Sequence, residues 1–89
     1  MKVAIFGTVA LVNVVSKFGG DACLERRWVL PPEVIEPLAS HVEMTGEGWI
    51  VDEWPVTHGI AAIVQPWVDQ VIDVASGAWF VGSEHANRP

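Results

Sequence analysis

The apolar positions of this chain form one uninterrupted block and two one-sided arcs, and each predicts an element. The block covers residues 3–15, VAIFGTVALVNVV, and holds no charged side chain between Lys2 and Lys17. Val3, Ile5, Thr8, Val9, Val12, Val14 and Val15 are β-branched, which stiffens the side chain and favours a pleated strand over a helix. Gly7-Thr8 has the composition of a two-residue type II′ turn, so the block reads as one strand or as a hairpin pairing residues 3–6 with 9–12. Neither face alternates, and a strand here has to be covered on both sides. The alternative is an N-terminal membrane helix over residues 3–18. At ~1.5 Å per residue it would reach about 24 Å, short of the ~30 Å hydrocarbon core, and would span only with local thinning and snorkelling lysines. Lys2 and the apolar run also have the outline of an export signal, but residues 16–23 offer no small-residue cleavage site.

Phe18-Gly19-Gly20-Asp21 breaks the block, and DACLERRWVL (21–30) leads into Pro31-Pro32 with no regular element predicted for it. The first arc, on a helix near 33–43, gathers Val34, Ile35, Leu38, Ala39 and Val42, with Glu33, Glu36, Ser40 and Glu43 opposite. Pro32 suits its first turn; Pro37, on the polar side, removes an internal hydrogen bond. A turn at 45–48 precedes WIVDEW (49–54), which reads as a short strand ended by Pro55. The second arc predicts a helix over 58–75, with Thr57 as N-cap and Ser76-Gly77 as the stop. Ile60, Ile63, Val64, Trp67, Val68, Val71, Ile72, Val74 and Ala75 fill its apolar face, and Pro66 kinks it or splits it at Gln65. A final strand is expected near 78–82, AWFVG.

These elements make a small single α+β domain: an apolar N-terminal strand or hairpin, two amphipathic helices and short strands, with the helices laid on a small sheet. The alternative is a mainly α fold with an N-terminal membrane helix. Residues 1–17 form the apolar segment and residues 18–89 the acidic body, together one domain.

Composition sharpens this picture in one direction. With 51% apolar residues and five tryptophans in 89 residues, the chain has more apolar surface than so small an interior encloses, since it buries only about 60–65% of its unfolded surface. Part of that surface is expected to meet another molecule. Charge is split: residues 1–17 carry +2 and residues 18–89 carry −8, for a total of −6. An acidic body repels phosphate, and Arg26-Arg27 is too small a patch to reverse that, so no direct nucleic-acid binding is expected. The single cysteine, Cys23, rules out an intramolecular disulfide.

Candidate chemistry is sparse. His41, His58 and His85 lack a second ligand at helical metal spacing. Asp52 and Glu53, adjacent on a strand, point to opposite faces, which is wrong for a carboxylate pair. Neither VAIFG nor Gly46-Glu47-Gly48 carries the further glycine and helix start that a phosphate loop needs. No catalytic, cofactor or metal site is predicted, and the chain reads as non-enzymatic. The leading expectation is a structural or accessory subunit of a larger assembly, a virion component or a small subunit of a membrane complex, in a homo- or hetero-oligomer. Val3, Ile5, Phe6, Val9, Leu11, Trp28, Trp54, Trp79 and Phe80 are its expected interface residues, and membrane contact would run through residues 3–18. The alternative is a small acidic module that blocks a basic surface of a partner protein.

Overall fold

A computed structural model describes residues 11–85. Four strands, β1 (Leu11–Phe18), β2 (Leu24–Val29), β3 (Trp54–Pro55) and β4 (Trp79–His85), form one antiparallel sheet in the order β2-β1-β4-β3. Two short helices, α1 (Ile35–Leu38) and α2 (His58–Val64), lie between β2 and β4 in the chain, with 3-10 turns at Pro32–Val34, Gln65–Trp67 and Val74–Ser76. The domain is the small α+β fold that the pattern predicts.

β1 sits inside the sheet because both its edges are paired: Val15 lies between Trp28 and Val81, and Lys17 between Arg26 and Trp79. The strand runs on through Phe18, so residues 11–17 belong to the same sheet as the acidic body. Residues 3–10, with the predicted Gly7-Thr8 turn, lie outside the described residues. Within the described part the helical alternative is corrected: residues 11–18 are strand, and no described helix is long and apolar enough to cross a membrane.

β2 is the element that the pattern hides. Glu25, Arg26 and Arg27 interrupt its apolar positions, as charges do on edge strands, where they discourage pairing with other chains. It is joined to β1 by a tight turn in which Ala22 takes φ 65° and the Cys23 N–H donates to Asp21 Oδ1 at 3.1 Å.

The predicted helices are shorter than their arcs. α1 is a single turn following the Pro32–Val34 turn, yet Val34, Leu38 and Val42 still reach the core. The helix predicted over 58–75 ends at Val64, where Pro66 lacks the N–H that would continue it. From there Gln65 organises the chain: its Nε2 donates to the carbonyls of Val68 and Gln70, and its Oε1 accepts from the Ile72 N–H. Val68 and Ile72 stay in the core, but Trp67 and Val71 turn outward, at 39% and 82% exposure. The strand predicted over 49–54 shrinks to β3, because Asp52 adopts φ 66°; upstream only an isolated Met44–Ile50 bridge remains. β4 is longer than predicted, since Ser83, Glu84 and His85 continue the ladder against β1.

All this chain packs on one face of the sheet, around Val15, Trp28, Leu30, Trp79 and Val81. The opposite face carries Phe18, Arg27, Val29, Phe80 and Glu84, as the strand registers dictate.

Candidate functional site

The cations of the described chain are all committed. Trp28 and Trp79 stack on the core face with ring centroids 5.4 Å apart and planes 19° from parallel. Arg26 lies over Trp28 at 4.8 Å and Lys17 over Trp79 at 5.7 Å, so each ring of the stack also has a cation over it. Asp69, delivered by the loop that Gln65 shapes, accepts from Trp28 Nε1 at 2.8 Å and from Arg26 Nη2 at 3.1 Å. These bonds, the tryptophan's first and the guanidinium's second, hold the Asp69 carboxyl below its ordinary range. Lys17 also pairs with Glu25 at 3.1 Å, and Arg27 crosses the other face to Glu84 at 2.8 Å.

Most of the anions have no cation beside them among the described residues. Of the eleven acidic residues, Glu25, Asp69 and Glu84 have cationic partners. The other eight, Asp21, Glu33, Glu36, Glu43, Glu47, Asp52, Glu53 and Asp73, are exposed and have none among the described residues. From Trp28 to Asn87 the sequence holds no lysine or arginine. The result is a negative surface whose three balancing cations sit on β1 and β2.

On the outer face, at the β1–β2 turn end of the sheet, lies an open cavity of about 690 Å³. Phe18 and Phe80 meet there edge to face with centroids 5.8 Å apart. The Gly19-Gly20 turn and Gly77-Ala78 form its sides, and Glu53 is the charged side chain on its lining. A second, smaller cavity of about 370 Å³ lies between Leu11 and Val12 of β1, Pro31-Pro32, Ile35 and Trp49. Asn13 lines it and is itself buried, bonded to Gly48, Ile50 and Ser83. Its Oδ1 accepts two of these bonds and its Nδ2 donates one.

The expected interface residues separate accordingly. Trp28 and Trp79, at 8% and 3% exposure, are enclosed by this chain's own core. Trp54 is half-buried and its Nε1 donates to the Val51 carbonyl at 2.6 Å. Leu11 stands at the lip of the smaller cavity and Phe80 in the larger one. Val3, Ile5, Phe6 and Val9 lie outside the described residues. The exposed apolar side chains that sequence reasoning missed are Leu24 and Val29 on β2, Trp67 and Val71. The last two belong to a helical arc that ends before them, and Pro66 is the signal in the sequence that the arc breaks there. Asp69 and Asn13 were missed as well. Each is a lone polar residue whose partners come from 35 or more residues away.

His41 sits over Gly59, where an added Cβ would lie 2.7 Å from its ring, and Cys23 is exposed and free. Among the described residues no three histidine, cysteine or carboxylate side chains converge as a metal site would need. No protein-family model matches the chain, and neither a curated protein nor a solved structure resembles it significantly.

Proposed function

We propose that this chain is a non-enzymatic binding module that docks on a basic surface of a partner protein. The observation that carries the reading is the imbalance of pairing: all three described cations are held within the fold, and eight exposed carboxylates have no cationic partner among the described residues. Such a surface speeds and orients encounter with a positive partner and repels nucleic acid. The burial of Trp28 and Trp79 shifts weight the same way, because it removes two of the three tryptophans on which an apolar interface would rest.

The test is capture with the whole chain beside a variant in which Glu33, Glu36, Glu43 and Glu47 are changed to glutamine. The expected result is a defined complex with a protein whose contacted face is rich in lysine and arginine. It should weaken roughly tenfold between about 50 and about 500 mM salt and be depleted by the variant. A complex indifferent to both salt and the four substitutions would overturn the reading.

A second reading keeps the chain as an accessory subunit, in a virion or a membrane-associated complex, held by apolar contact. Val29 and Leu24, exposed at 62% and 43% on the edge strand β2, favour it. It predicts a complex that survives high salt and is lost on Val29→Ser.

A further inference from the structure

We infer that the cavity between Phe18, Phe80 and Glu53 is the subsite that receives a single lysine or arginine side chain of the partner. The inference rests on the proposed binding to a basic surface and names the place where that binding becomes specific.

Three features of the cavity fit one occupant. Its floor is aromatic, with the Phe18 and Phe80 rings edge to face, and an aromatic face attracts a cation and packs against the aliphatic stem behind it. Its lining includes a carboxylate, Glu53, with no cationic partner among the described residues. Its sides are backbone-rich, since Gly19, Gly20, Gly77 and Ala78 have little or no side chain to fill the space. Ser76 also lines it, but its hydroxyl already donates to the Asp73 carbonyl and accepts from the Ala78 N–H, so the ligand's charge is left to Glu53. Among the described residues no lysine or arginine lines the cavity, and an anionic or phosphate-bearing ligand would find no counter-charge from them. A purely apolar side chain would fit the floor but would leave Glu53 next to a desolvated surface.

Glu53 reaches this place through a backbone feature. Asp52 in the left-handed region breaks the strand predicted over 49–54. Glu53 Cγ then lies 3.7 Å from where a Cβ on Gly82 would stand, on the same outer face as Phe80.

The experiment is an NMR titration of the isotope-labelled full chain with N-acetyl-arginine methylamide, set beside its uncharged isostere N-acetyl-citrulline methylamide. The expected result is saturable shifts centred on the amides of Gly19, Gly20, Gly77 and Ala78 with the arginine probe and none with citrulline. Binding should weaken roughly threefold in Glu53→Gln and roughly fivefold in Phe80→Leu, each variant keeping a dispersed spectrum. Shifts spread evenly over Glu33, Glu36, Glu43 and Glu47, equal response to citrulline, or no response at probe concentrations of about 50 mM would overturn the subsite. Failure here is separable from failure of the proposed function. If the salt-sensitive partner complex forms and is untouched by Glu53→Gln, the subsite is wrong and the basic-surface reading stands. If the probe occupies the cavity while no basic partner is bound, the reverse holds.

Discussion

Asn13 is one uncharged amide on a central strand, and it joins three parts of the chain. Its Nδ2 donates to the Gly48 carbonyl at 2.9 Å, and its Oδ1 accepts from the Ile50 N–H at 3.1 Å and from the Ser83 hydroxyl at 2.6 Å. Asn13 is 4% exposed, and the Gly48 and Ile50 backbone groups it satisfies are buried with it, whereas Ser83 is half-buried. Asn13→Ala is therefore expected to lower unfolding stability by about 2–3 kcal/mol, and Ser83→Ala by only about 1 kcal/mol, in urea titrations. A cost for Asn13→Ala no larger than that for Ser83→Ala would show that the 44–50 loop holds itself. Asp69 makes a different prediction, about pH. Its carboxyl is held below the ordinary 3.8 by Trp28 and Arg26. Its contribution is thus present above that value and lost as pH falls through the lower folded value. Asp69→Asn should weaken the fold at pH 7, and the gap to the parent protein should close as the pH is taken below about 4. A gap that stays constant with pH would mean the carboxylate's charge contributes nothing.

At the scale of elements, the chain between α2 and β4 is held by side chains where the pattern predicts a helix. Gln65 makes three bonds, to Val68, Gln70 and Ile72, three, five and seven residues away. Gln65→Ala should cost about 1–2 kcal/mol and open the Ile72 amide to hydrogen exchange ahead of the rest of the core. If Ile72 keeps its protection, Pro66 and apolar packing suffice to shape the loop. The same region shows what periodicity can and cannot reveal. Val34, Leu38, Val42, Ile60, Val64, Val68 and Ile72 were placed inward by their spacing and are inward, although the helices are fractions of the expected length. One turn of helix is enough to set an inward face, and a loop can carry the next apolar residue to the same core. Trp67 and Val71 went the other way because Pro66 changes the phase of the chain after Val64. β2 was illegible because an edge strand carries its charges where an interior strand carries valine. The larger cavity was illegible too. Phe18, Glu53 and Phe80 come from three strand ends, and only the β2-β1-β4-β3 order brings them together.

For the whole molecule, two electrostatic effects oppose each other, and their balance can be measured. The three ion pairs are exposed or half-exposed, and pairs of this kind contribute only about 0–1 kcal/mol each, less as salt is added. The eight unpaired carboxylates repel one another across a chain of net charge −6, and compactness brings them closer than they are in the unfolded chain. Added salt screens both effects, with a Debye length falling from roughly 20 Å to below about 10 Å between about 20 and 200 mM. The repulsion acts over the longer distances and is screened first. Unfolding stability should therefore rise by about 0.5–1 kcal/mol over that range, while a complex with a basic partner weakens over the same range. The two slopes should have opposite sign, because the proposed partner would supply positive charge to a surface of net negative charge. Changing Glu33, Glu36, Glu43 and Glu47 to glutamine should flatten both together. A stability that falls with salt would show the three ion pairs outweighing the repulsion, and would remove the physical basis for a surface held ready for positive charge.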